Sequence, residues 1–444
     1  MTTYDQQVRV ITGTMKADIS VTTATGTAVT YTTGSTHFFN VGDEVLIKGL
    51  ATAGHNGFKT ITAVPSGTTF RVASTQTGTG NTAGLAILNN QYDLTVIDSV
   101  SVRGGRQDVT ASVTPMTATV DIVQDYFSDA DLGNFDLNHG LIVQTYDTFT
   151  STWVDLFVGQ VTDVTARIDS PSISGGFVPV VFSIQGTTPM ARLDYNSSSY
   201  SGSDALVTTG NAGYLWVVET LNKNPDFGSG FYWYGAVGVD AILMHKRVNG
   251  TYVDSDVIQT AATSCRANWH DRPDGKVYYS TFSSTVSPTY FPLSEELFTL
   301  NSLSATKSIR DVYNKTNVTT TNVAVSTGTA ADTTSRNKYG RRAGNRDTEL
   351  AVQASIDLQA NDFLAIRKDP KFRMDAVQIN LANNNLDNEM RSALYKTRTN
   401  TPYEISFGTL FGTQQYFVDN WGWSFSRGNS TITFQVCEYY DLHP

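Results

Sequence analysis

The sequence predicts a mainly β protein of the α+β class, with one or two helices among antiparallel β-barrel or sandwich domains and a small inserted β domain. Three observations carry that expectation. Charged residues make up only 16% of the 444, against about 25% in an ordinary globular chain. The polar surface must therefore come from Thr, Ser, Asn and Gly, which suit strands and turns better than helix interiors. Short alternating apolar runs recur along most of the chain, punctuated by Gly, Pro and Asn. A single long window, residues 347–366, has the spacing of a packed helix.

Length and charge narrow the function. A chain of 444 residues is about three times a typical domain of roughly 150, so several domains are expected. The net charge of −10 disfavours a generic phosphate-backbone binder, which relies on surplus Lys and Arg. Cys265 and Cys437 lie far apart with no neighbouring thiol, which excludes a zinc ribbon or a CxxC pair. Two free thiols are the expectation. The first nineteen residues carry Asp5, Arg9, Lys16 and Asp18 without a continuous apolar stretch, unlike a secretory signal. No later window approaches the roughly 18 apolar residues of a membrane span, so a soluble product made in the cytoplasm is expected.

The elements follow in order. Residues 4–19 read as a strand and a break. Residues 41–49 form a strand entered through Gly42-Asp43, and His55-Asn56-Gly57-Phe58 is a tight turn in which Asn-Gly supplies positive φ. Residues 59–64 and 69–73 add two short strands around Pro65-Ser66-Gly67. Four or five strands in so short a span make a small barrel or sandwich, and Thr/Gly/Ala-rich flanks mark it as an insertion. Beyond it, residues 94–102 alternate cleanly, Arg103-Gly104-Gly105-Arg106 reads as a turn, and residues 117–123, 141–146, 153–164 and 178–185 give further strands. A loop rich in Asp and Asn spans 126–139. In the centre, residues 204–221 suit a helix, 231–234 (FYWY) an aromatic strand, and 297–300 and 308–313 show strand signals. After the long helix, which Asp369-Pro370 ends, residues 372–381, 403–407, 415–423 and 431–439 form a last β segment.

Candidate chemistry is sparse. His270-Asp271 with Glu295-Glu296 contains the ingredients of an acid–base or metal site, but the six histidines show no HxH, HxxxH or HExxH spacing. Surface turn residues are the preferred reading. GxSxG, GxxxxGK[ST] and a Gly-rich dinucleotide loop are absent. Asp125, Asp129, Asp131 and Asp136 match a calcium loop in composition only, without its terminal bidentate Glu. Neither a catalytic residue, a metal ligand nor a cofactor is expected. Trp233 and Tyr234 are candidates for stacking on a glycan, although core and interface packing is the plainer reading of such aromatics. Trp421 and Trp423, two apart on a strand, face one side and are expected to fill a core. Arg336, Lys338, Arg341, Arg342 and Arg346 form the densest basic stretch; a loop pairing with an acidic neighbouring subunit fits better than nucleic acid contact, for which no motif is present.

Residues 97–106 (IDSVSVRGGR), 115–122 (PMTATVDI) and 156–164 (LFVGQVTDV) together resemble the minor tail proteins of long-tailed bacteriophages. In that family a strand ending in an Arg-Gly-Arg-like turn precedes a TATV strand, an Asp/Phe-rich loop and an LFxG strand. Ile309 to Asn314, Ser335 with Tyr339-Gly340-Arg341-Arg342, and the helix from Leu350 to Arg367 and Pro370 are similar to the C-terminal part of the same proteins. Gly105 adds a residue to the Arg-Gly-Arg turn, and Gln160 replaces the usual basic residue.

The resemblance implies β domains of tail-hub type. Residues 1–18 and 91–190 would form the first, 19–90 the inserted barrel or sandwich, 191–305 a central mixed domain with the aromatic strand, and 306–444 a C-terminal α+β hub domain. It implies a non-enzymatic virion protein at the distal end of the tail tube, a homo-oligomer, with a trimer favoured over a hexamer. Tail tube, tape-measure protein and fibres would be its partners. The alternatives are a receptor-binding protein that grips cell-surface glycan and, less favoured, a tail enzyme that cuts wall polysaccharide with Glu295 or Glu296 as acid.

Overall fold

Strand β1 (Val8–Gly13) is buried at every position, because a hydrophobic layer covers each of its faces. In the computed structural model, which describes residues 6–79, 84–93, 95–106, 113–124, 135–168, 180–224, 226–227, 234–237, 242–280, 289–299, 305–310, 312–320, 327–370, 372–374, 376–406 and 412–437, β1 pairs antiparallel with the strands Gly140–Asp147 and Asn90–Asp93. Successive side chains of a strand point to opposite faces. Val8 and Val10 accordingly join the main core, whereas Ile11 packs with Leu46, Leu85, Ile87, Ile142 and Val158 beneath a separate barrel.

That barrel is built from β2 (Met15–Ala24), β3 (Ala28–Thr32), β4 (Glu44–Lys48), β5 (Gly57–Ser66), β6 (Thr69–Ala73) and β7 (Gly84–Leu88). They close in the order β2-β3-β6-β5-β4-β7. Gly57, with φ 95, provides the positive φ that the Asn-Gly pair implies. Inside, the Tyr31 and Phe70 rings stack at 5.1 Å and Phe39 meets Phe70 edge-on at 5.5 Å. The chain enters and leaves at one place. A Cβ on Gly13 would lie 2.7 Å from the Leu88 carbonyl, and the Leu88 N–H donates to the Thr14 carbonyl at 2.9 Å. The barrel thus occupies the connection between β1 and its partner β8 (Asn90–Asp93).

The remaining strands of this half are β9 (Ile97–Arg106), β10 (Val113–Gln124), β11 (Gly140–Asp147), β12 (Thr152–Ile168) and β13 (Val180–Thr187). A 12-stranded sheet runs Phe291–Ser294, Pro402–Ser406, Thr413–Ser426, β9, β10, β13, β12, β11, β1, β8, with Asn429–Cys437 paired to Thr413–Ser426 and Val377–Asn380 paired to Asn429–Cys437. Its halves meet where β9 pairs with Thr413–Ser426, from Gly105↔Asn420 to Ser99↔Ser426. This corrects the turn expected at residues 103–106, which are strand. The glycines serve close approach instead of chain reversal: a Cβ on Gly105 (φ 105) would lie 2.2 Å from the Asp419 carbonyl, and one on Gly104 2.7 Å from Met116 Cγ. Beside them, buried Arg106 donates from Nε to Asp419 Oδ1 at 2.7 Å. One continuous core spans both halves and takes in Trp421 and Trp423, as expected of them.

Helices are more numerous than periodicity alone reveals. Gly213–Lys223 and Asp254–Cys265 pack together and share a core around Trp216, Val217, Val257 and Ile258. The second went unread because its Thr, Ser and Asp content masks the apolar row Val257, Ile258, Ala261, Ala262, Cys265. Thr333–Tyr339 and Asn388–Tyr395 are short, and each is started by an N-cap aspartate, Asp332 or Asp387, whose side chain accepts a backbone N–H. The long helix spans Gln353–Arg367 and starts later than its periodicity suggests, because Ala343–Thr348 is a strand parallel to Lys315–Thr320. Residues 308–310 and 312–313 are not strand; the nearby strand is Ala305–Lys307, and the Val312 N–H bonds back to Ile309. Cys265 and Cys437 are both buried, and neither forms a disulfide.

Candidate assembly surfaces

The junction between barrel and sheet carries a linked set of polar contacts. Lys48 at the end of β4 forms an ion pair with Asp155 of β12. The Gln144 side chain donates to Asp155 Oδ1 at 2.7 Å and accepts from Arg9 Nε at 2.7 Å. The Arg9 guanidinium is sandwiched between Trp153, 4.0 Å from its ring centroid, and Phe58 of the barrel at 5.0 Å. Burial lowers the Arg9 pKa to about 10, with Asp155 opposing the shift. A shallow cleft of about 520 Å³ opens here, lined by Arg9, Lys48, Phe58, Gln144 and Trp153 among others. The relay ties the inserted barrel to its host sheet. It contains no nucleophile paired with a base.

Arg336, Lys338 and Arg341 are exposed, and Arg342 is half-buried. Arg336 and Lys338 ride on the helix Thr333–Tyr339, which Gly340 ends at φ 78. The following turn is held from inside: the buried Asn314 donates through Nδ2 to the Gly340 carbonyl at 2.6 Å, and its Oδ1 accepts the Arg342 N–H at 2.9 Å. Three cations are thereby presented outward on a braced support. Trp233 lies outside the described residues; Tyr234 begins the strand Tyr234–Val237, which runs parallel to Val277–Ser280. Asp125, Asp129 and Asp131 also lie outside, and Asp136 is exposed.

His270 and Asp271 are buried in the strand Asn268–Asp271, not on a surface turn as expected, whereas Glu295 and Glu296 are exposed. Asp271 Oδ2 accepts the Met116 N–H at 2.7 Å and the Thr188 hydroxyl. It thus clips the central layer onto the bulged start of β10, where the register shifts between Thr114 and Thr117. Burial pushes its pKa up to about 6, against the opposing pull of those two bonds. Among the described residues, no group of three or more His, Cys, Asp and Glu side chains is placed to hold a metal ion. Nor, among them, is any helix long and apolar enough to cross a membrane. What sequence reasoning missed is the Arg9–Gln144–Asp155–Lys48 relay, whose members come from four strands, β1, β11, β12 and β4, and leave no local spacing.

No protein-family model and no curated protein matches the sequence. Solved structures do match its fold. A 43 kDa tail protein of prophage MuSo2 from Shewanella oneidensis superposes with a TM-score of 0.53 over 90% of this chain and 100% of that one, at 10% identity. A tail protein from Neisseria meningitidis MC58 gives 0.54 over 80% and 96%, also at 10% identity. The chain has the fold of phage-type tail proteins, mainly β, with a closed barrel and large sheets.

Proposed function

We propose that this chain is a structural, non-enzymatic component of a phage-type tail tip or baseplate. It forms a homo-oligomeric ring, a trimer, at the distal end of the tail tube and connects the tube to fibres or tip proteins. The observation that supports this most directly is the near full-length fold match to a prophage tail protein. The open sheet adds to it: among the described residues the strand order ends at Phe291–Ser294 and β8, and sheet ends of this kind are stabilised by pairing or cover. The outward cations Arg336, Lys338 and Arg341 supply charge for contact with an acidic neighbour in the ring. Native mass spectrometry and negative-stain imaging, alone and with a tail-tube protein from the same source, test the proposal. Rings are expected, and Arg336, Lys338 and Arg341 changed together to Glu should weaken them without lowering the melting temperature. A protein that stays monomeric at high concentration with the tube protein present would refute the reading.

A further inference from the structure

The basic stretch does not end on the surface. Arg346, its last member, sits on the Ala343–Thr348 strand and turns inward, its guanidinium 4.8 Å from the Phe363 ring centroid. Phe363 and Arg367 are four residues apart on the helix Gln353–Arg367 and so share a face; Arg367 is only 4% exposed. From the central layer, Arg266 reaches the same helix and pairs with Asp362, the neighbour of Phe363. Arg266 does so from a left-handed conformation, φ 53, at the end of the helix Asp254–Cys265, a position usually left to Gly or Asn. Three elements therefore direct guanidinium groups at one spot.

The electrostatics there are unusual. Arg346 as a whole is half-buried, but its Nη1 is shut off from solvent and meets no hydrogen-bond acceptor. Burial, with Arg266 and Arg367 nearby, lowers the Arg346 pKa to about 10. That is still well above neutrality, so the charge stays on, and a cation withdrawn from water among other cations calls for an anion.

We propose that Arg346, with Arg266 and Arg367 beside it, forms a binding site for a small phosphate-class oxyanion at the junction of the central helical layer and the C-terminal helix. The planar guanidinium fork presents paired N–H groups at the spacing of two oxyanion oxygens, which favours such a ligand over chloride. Bound there, the anion would bridge the end of one helix to the face of another and fix the angle between the two layers. This site is independent of the assembly reading.

The test is calorimetric titration of the full chain with inorganic phosphate, alongside thermal unfolding in phosphate and in chloride at equal ionic strength. Saturable binding and a phosphate-specific rise in melting temperature are expected. Arg346→Met should weaken binding by about tenfold or more, Arg346→Lys by less, while Arg71→Gln, exposed on the barrel, should leave it unchanged. Absence of saturable phosphate binding to the unaltered chain overturns the proposal, as does undiminished binding in Arg346→Met. Should Arg346→Met not fold, the unaltered chain and Arg346→Lys decide the question.

Discussion

The inserted barrel and the large sheet solve the same problem in opposite ways. The barrel closes on itself, so every strand finds both neighbours within residues 15–88 and its core of Tyr31, Phe39, Phe70 and aliphatic side chains belongs to it alone. The sheet is assembled from the two ends of the chain, stays open among the described residues, and holds its seam with a buried ion pair between residues more than three hundred positions apart. Closure makes a unit self-sufficient, and openness makes it dependent on what lies beyond it. The difference marks the barrel as an attachment and the sheet as the frame that carries it.

The comparison breaks most visibly at the seam. Arg106→Ala leaves Asp419 buried without its partner and is expected to cost about 3–5 kcal/mol. No tryptophan falls within residues 15–88, so tryptophan fluorescence during urea unfolding reports the sheet and central layer, while amide exchange on barrel residues should be unchanged. Phe70→Ala should do the reverse at about 3–5 kcal/mol, lowering barrel protection and leaving the fluorescence transition in place. If either substitution weakens both regions equally, the two are one cooperative unit.

A smaller effect concerns the clip between central layer and sheet. The folded pKa of Asp271, about 6, lies above its ordinary value, so the native state binds the proton more tightly than the unfolded chain. Its contribution is fully present below about pH 4 and is lost as pH rises through 6, amounting to about 3 kcal/mol at most. Asp271→Asn should flatten this dependence and be the more stable form at pH 7.5, as read from urea midpoints at pH 4.5 and 7.5. A variant less stable than the parent at pH 7.5 would mean that the Met116 and Thr188 bonds need a carboxylate. Smallest of all, Lys48→Ala removes a partly exposed pair and should cost about 1 kcal/mol or less, leaving the apolar contacts of Ile11, Leu46, Ile87 and Ile142 to hold the barrel in place.

Much of the fold was legible because strands announce themselves by alternation: β4, β5 and β6 were each marked by short apolar runs between Gly, Pro and Asn. The helix at Gln353–Arg367 was visible for the same reason at a longer period. Asp254–Cys265 was not, because its polar residues dilute the apolar row. The Gly104-Gly105 pair misled, since two glycines between arginines signal a turn unless one knows that another strand passes within contact distance. The barrel–sheet relay and the arginine cluster were invisible in principle, being made by topology that brings residues such as Arg9 and Asp155, or Arg266 and Arg346, together from separate elements.

The barrel hangs from the β1–β8 hairpin by two strands of backbone joined by a hydrogen bond between Thr14 and Leu88. Any cassette whose first and last residues lie side by side fits that socket without altering the order of a single strand in the host sheet. Exchange at this point changes the attached module while preserving the sheet that carries it.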